Sequence, residues 1–316
     1  MIDRRQVLKI VSLGTLASAI VKPLEGAKAR RLLLVHGRDQ QGQDPAALKA
    51  QWIEALGRGA RAANLKIPND LQIAFPFYGD TLDRFTREAE IPLTSDITSR
   101  GTPAMDEFLV FQAEFAEAIR TRAGVTDAEI DHEYGQNPRP RGPLNWEWVQ
   151  ATLRAIDKHG GGLGQRTLEA FTRDVFLYCT RPGIRDAIDR IVASMLTDEP
   201  TVVVGHSLGS VVSYSVMLRD TRRLQIPAFI TVGSPLGVRS VRDQFRPLRY
   251  PPVDGWYNAY DPRDVVALYP LDAANFPVRP SIDNNGALAN QTPNRHGVVG
   301  YLNDANVAQR TLGALA

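Results

Sequence analysis

An α/β architecture, with a mostly parallel sheet and helices on both faces, is what this chain of 316 residues encodes. Apolar runs of strand length recur at Arg31-Leu32-Leu33-Leu34-Val35, Leu71-Gln72-Ile73-Ala74-Phe75, Thr201-Val202-Val203-Val204 and Ala228-Phe229-Ile230-Thr231-Val232. Stretches with apolar residues at helical spacing lie between several of them. The alternation favours parallel neighbours joined by crossover helices that cover the sheet. Hydrophobic residues make up 43% of the chain and charged residues 23%, as in ordinary globular proteins. The length suffices for one large domain carrying an insertion, or for two domains.

Residues 1–29 read as separate from this domain. Asp3-Arg4-Arg5-Gln6-Val7-Leu8-Lys9 resembles the twin-arginine export motif. A moderately apolar stretch follows from Ile10 to Val21, and Ala27-Lys28-Ala29 has the small-x-small pattern of a cleavage site, with Ala17-Ser18-Ala19 as a second candidate. The stretch is too short to span a bilayer as a helix. The expectation is an export signal over 1–29, a partner in the export machinery, and a periplasmic or secreted mature chain; a cytoplasmic protein with a basic N-terminal helix is the alternative. This segment holds five basic and two acidic residues out of totals of 37 and 35, which leaves 32 basic against 33 acidic, formally −1. That balance points to neither a nucleic acid nor a strongly anionic partner. The single cysteine, Cys179, rules out an internal disulfide and a cysteine-rich zinc site. Its apolar neighbours Val175, Phe176, Leu177 and Tyr178 make it a buried thiol.

The elements of the 30–316 domain follow in order. The first strand ends in His36-Gly37-Arg38. A helix near 46–63 carries Leu48, Trp52, Ile53, Leu56 and Ala60 on one face. The second strand is broken at Phe77-Tyr78-Gly79-Asp80, where Asp80 reads as an N-cap of the next segment or, less simply, as a pocket group. An insertion spans about 81–180, before the helix that leads to the strand at 201. One helical stripe in it is Met105, Phe108, Leu109, Phe111, Phe115 and Ile119, and another is Leu144, Trp146, Trp148, Val149 and Leu153. The Pro-rich stretch 135–143 and the Gly-rich stretch 160–164 are loops. The insertion reads as a helical cap over a site, or as a second packing layer. Beyond the strand at 228–232 lie a strand at 255–260, a short one near 278–282 and a final helix at about 303–315.

Gly205-His206-Ser207-Leu208-Gly209 matches G-x-S-x-G. The five residues alone are weak, but Thr201–Val204 before them reads as a strand, and Ser210–Leu218 after them as a helix. A sharp strand-to-helix turn presents the serine hydroxyl, and glycine lets the neighbouring backbone come close. A serine hydroxyl needs an adjacent base, and the base needs a group that fixes its tautomer.

Val35-His36-Gly37, Gly205-His206-Ser207-Leu208-Gly209-Ser210, Gly233-Ser234-Pro235-Leu236-Gly237 and Asp264-Val265-Val266-Ala267 together resemble the α/β-hydrolase superfamily, in its lipase-like and PGAP1-like branches. The resemblance covers nearly all of the chain beyond Leu32. One departure is the insertion after the second strand, where many members carry a lid later. The superfamily order, serine then acid then histidine, implies His296 as the base, since of the five histidines only this one follows Ser207 at a useful distance. Asp264 resembles the acid of many esterases, and Asp261, closer to the strand, is the alternative. The oxyanion-binding N–H groups would be those of Leu208, which opens a helix, and, by resemblance, of Arg38.

The resemblance implies a serine hydrolase that cleaves a carboxylic ester through Ser207, His296 and Asp264 and an acyl-enzyme; the substrate is a small-molecule or lipid-like ester, the aromatic residues of the insertion suggesting the lipid-like kind. It calls for no metal or organic cofactor. An amidase, a peptidase or an acyltransferase would use the same three residues. A catalytically silent fold serving as a binding module is the alternative of a different class.

Overall fold

The computed structural model describes residues 31–97, 102–135, 142–159 and 164–315. Residues 1–29, where an export signal is expected, therefore lie outside the described residues, as do parts of the loops at 135–143 and 160–164.

Six parallel strands form one sheet: β1 (Arg31–Val35), β2 (Gln72–Ala74), β3 (Thr201–His206), β4 (Phe229–Val232), β5 (Trp256–Ala259) and β6 (Asp283–Asn285). Their spatial order is β2-β1-β3-β4-β5-β6. The chain thus starts next to one edge, steps outward once, then crosses to the other side and builds outward. In register, Leu32 sits opposite Val202 and Leu33 opposite Val203. Successive side chains point to opposite faces. Leu33, Val35 and Val203 enter one buried cluster, while Leu32, Leu34, Val202 and Val204 enter another. Strands buried on both faces need apolar residues at every position, which is why these runs are continuous.

The second cluster is closed by α1 (Pro45–Ala62), α10 (Val298–Leu302) and α11 (Ala305–Gly313). Asp44 caps α1 by accepting from the Ala46 N–H (3.0 Å), and Leu48, Trp52, Leu56 and Ala60 form its buried stripe. The first cluster is closed by α8 (Leu208–Arg219) and by the insertion between β2 and β3. The insertion comprises α2 (Gly79–Glu88), α3 (Pro103–Ala123), α4 (Asp127–Tyr134), α5 (Trp146–Lys158) and α6 (Gln165–Thr180), and α7 (Pro182–Ala193) leads from it to β3. A short α9 (Arg239–Arg242) follows β4. The aromatic stripe of α3 is core: Phe108 packs 5.5 Å from Phe176, and Phe115 packs 5.7 Å from Phe171. Each such side chain, fully buried, contributes roughly 1.5–3 kcal/mol. Cys179 is buried, and burial pushes its thiol up to about 12. No helix among the described residues is long and apolar enough to cross a membrane.

Two sequence expectations shift. The last short strand is Asp283–Asn285 rather than 278–282. Pro280 lacks an N–H for a ladder, and pairing with β5 begins only at Asp283. The final helix, α11, falls within the expected 303–315 and starts where Asp304 accepts from the Asn306 and Val307 N–H groups; the short α10 precedes it, in a stretch where the sequence predicts no helix. Asp80 is no N-cap. It lies inside α2, and its carboxylate accepts from the Gly42 N–H (2.7 Å), tying that helix to the loop before α1.

Candidate active site

β3 ends at His206 and α8 begins at Leu208, so Ser207 alone turns the chain from strand to helix. Its backbone stands at φ 54°, ψ −128°, a region that costs a side-chain-bearing residue about 1–3 kcal/mol. The sheet enforces this. The Ser207 N–H donates to the Val232 carbonyl (3.1 Å). At Gly209 a Cβ would strike the carbonyl oxygens of Val35 and His36, so any larger residue would push α8 away from β1 and relax the turn.

His296 reaches the same point from the loop before α10. Its Nε2 lies 2.8 Å from Ser207 Oγ, and its Nδ1 lies 2.7 Å from Asp264 Oδ2. Asp264 is fully buried, and its Oδ1 accepts from the Val266 N–H (2.9 Å). Its Oδ2 also accepts from the Tyr301 hydroxyl (2.6 Å). With a carboxylate as partner, Nδ1 carries the imidazole proton, which leaves the Nε2 lone pair facing the serine hydroxyl. Burial first, then the Asp264 charge, raises the Tyr301 phenol well above its ordinary range, so it stays a donor.

The two candidate acids have different partners. Asp261 accepts from the Arg263 N–H (2.8 Å), the Arg263 guanidinium and the Asn290 N–H (2.8 Å). Burial pushes its carboxyl up, but these donors outweigh that and hold it below the usual carboxylate range. Asn290 in turn donates to the Gly297 carbonyl (2.9 Å) and accepts from Thr292. Asp261 thus anchors the base of the loop that carries His296, while Asp264 touches the imidazole itself.

The N–H groups of Leu208 and Arg38 find no acceptor among the described residues. The loop after β1 lies against the serine: a Cβ on Gly37 would be 3.0 Å from Ser207 Cβ and 3.4 Å from Oγ. His36 shapes this loop. Its Nε2 accepts from the Tyr78 N–H (3.1 Å), so its Nδ1 donates to the Gly37 carbonyl (2.7 Å). Tyr78 stacks on the ring at 4.1 Å. Burial, partly offset by the bond to Gly37, lowers His36 to about 4, so it is neutral at pH 7. The Gly37 carbonyl is drawn to the imidazole, and the Arg38 N–H projects from the opposite edge of the same planar peptide.

A cleft of about 320 Å³ opens beside Ser207 and His296. Leu48, Trp52, Phe171, Val266 and Val298 give it apolar walls, and Gln40, Gln51 and Asn294 contribute neutral polar groups. Among the described residues of the insertion, only α6 reaches it, through Thr167 and Phe171. A hydroxyl that can pass its proton to a neutral imidazole held by a buried carboxylate is equipped to attack an electrophilic carbon.

Several contacts at the site were not legible in the sequence: His206 on His296, Tyr301 on Asp264, Asn290 under the loop, and Phe171 edge-on to His296 at 6.1 Å. His206 had a signal, its place inside G-x-S-x-G. The other three sit in stretches with no pattern that marks chemistry. Comparison with protein-family models, with curated proteins and with solved structures found no match to this chain.

Proposed function

We propose that the protein is a serine hydrolase of the α/β-hydrolase type that cleaves carboxylic esters. The observation that carries this reading is the unbroken line from Ser207 Oγ through His296 to Asp264, with contacts of 2.8 and 2.7 Å. In the proposed cycle Ser207 Oγ attacks the acyl carbon while His296 Nε2 takes its proton. Asp264 keeps the imidazole in the required tautomer and stabilises its cation. The oxyanion is received by the N–H groups of Leu208 and Arg38, the first at the start of α8, where the helix dipole adds favourable potential. The imidazolium then protonates the leaving alcohol. Water attacks the acyl-enzyme by the same route in reverse and frees the acid.

Hydrolysis of p-nitrophenyl butyrate tests the reading. Wild type should turn it over, and Ser207→Ala should lose the activity by several orders of magnitude. Equal rates for the two would overturn it. The same reading includes export of the precursor through residues 1–29, resting on the paired Arg4 and Arg5. Arg4→Lys with Arg5→Lys should retain the chain in the cytoplasm, and continued export would remove that part.

A further inference from the structure

The side chain of Arg38 has a partner that no sequence pattern marks. Its Nε donates to Asp174 Oδ2 at 2.5 Å, and both side chains are largely buried, 15% and 8% exposed. Asp174 lies on α6, which lines the cleft through Thr167 and Phe171. Phe171 lies three residues earlier on the same helix face and meets His296 edge-on. Asp174 is itself held by the Thr86 hydroxyl of α2 (3.3 Å). One face of α6 therefore touches both the imidazole and the loop after β1.

We infer that Asp174 is a positioning residue for the oxyanion-binding peptide, acting through the Arg38 side chain; this rests on the serine-hydrolase reading above. The Gly37–Arg38 peptide is planar, so fixing both of its flanks fixes the direction of its N–H. On one flank the His36 ring holds the Gly37 carbonyl (2.7 Å). On the other, the Arg38 carbonyl accepts from Gln40 Nε2 (2.9 Å), and the guanidinium is anchored on Asp174. A donor must sit within a few tenths of an ångström of the place where the oxyanion forms, and it stabilises charge that exists only in the transition state. Loosening Arg38 therefore slows acylation and leaves ground-state binding nearly intact. The insertion thereby becomes part of the catalytic framework, since α6 sets the geometry of a donor in the loop after β1.

The test is steady-state kinetics on p-nitrophenyl butyrate with Asp174→Asn, Asp174→Glu, Arg38→Ala and the double variant Arg38→Ala/Asp174→Asn. Thermal melting of each variant identifies any that fails to fold. Asp174→Asn keeps the shape and an acceptor but loses the charge. Its kcat should fall by about ten- to a hundredfold, less than the 10²–10³ seen when a donor is deleted outright, with KM within about twofold. Asp174→Glu should recover part of the loss. The double variant should be no slower than Arg38→Ala, because Asp174 acts through Arg38 alone. A folded Asp174→Asn with wild-type kcat, a loss confined to KM, or additive effects in the double variant would overturn the inference while leaving the hydrolase reading standing. A wild-type chain without activity on any ester would overturn both.

Discussion

His206 donates its Nε2–H to the backbone carbonyl of His296 at 2.7 Å, and the two rings lie 4.9 Å apart. The residue before the candidate nucleophile therefore fixes the main chain of the candidate base. Burial, and then the neighbouring His296, hold the His206 pKa well below its ordinary value, so a cation on His296 meets a neutral neighbour. His206→Ala leaves that carbonyl unpaired, at a cost of about 1–3 kcal/mol, and frees the imidazole to drift. The expected result is a drop in kcat of roughly tenfold or more with little change in KM. A variant with wild-type kcat would show that the loop holds His296 without this bond.

Asp264 and Asp261 should separate cleanly. Asp264→Asn presents an amide where the imidazole needs an acceptor, and a wrongly fixed tautomer in this kind of arrangement costs up to about 10⁴ in kcat. Asp261→Asn weakens the bonds to Arg263 and Asn290, so it should lower the melting temperature by the equivalent of about 1–3 kcal/mol and cost far less in rate. Kinetics and melting curves of the two variants side by side check this. The opposite ranking in kcat would exchange their roles.

The pair also shows where the sequence stopped being informative. Asp261 and Asp264 lie in one turn after β5, three residues apart, and local pattern fits both. Only the arrival of Tyr301 and His296 from residues far along the chain distinguishes them. The G-x-S-x-G turn was legible because strand, turn and helix are contiguous and each has its own signal. The continuous apolar runs of β1 and β3 were legible for the same reason, whereas β6, Asp-Asn-Asn at a sheet edge, has neither burial nor β-branching to announce it. The aromatic stripe of α3 was visible, but its spacing fits a cap over a site and a packing layer equally; its rings pack on Phe171 and Phe176 of α6.

Stability should fall on acidification through His36. Its folded-state value of about 4 lies below the ordinary 6.5, so between those pH values the unfolded chain binds more protons than the folded one. Stability from this group is complete above pH 6.5 and is withdrawn as pH falls towards 4, by about 3 kcal/mol in all. His206, also lowered, adds in the same direction. Melting temperature measured from pH 7.5 to pH 4 should decline more steeply for wild type than for His36→Gln. Parallel profiles would contradict the buried neutral histidine.

The size of the cleft sets an expectation for the acyl group. About 320 Å³ is room for roughly ten water-sized groups. In a series of p-nitrophenyl esters, kcat/KM should be highest for short acyl chains and at least about tenfold lower for palmitate, a difference of ~1.4 kcal/mol. A maximum at palmitate would point instead to a lipid substrate.

The most direct measurement is the intact mass of the protein after treatment with a fluorophosphonate probe, followed by peptide mapping. The hydroxyl of Ser207, with His296 Nε2 at 2.8 Å, should take up one probe per chain, with the added mass on the peptide containing Ser207 and no adduct on Ser207→Ala. An unlabelled wild type, or an adduct that persists in Ser207→Ala, would contradict the assignment of Ser207 as a nucleophile.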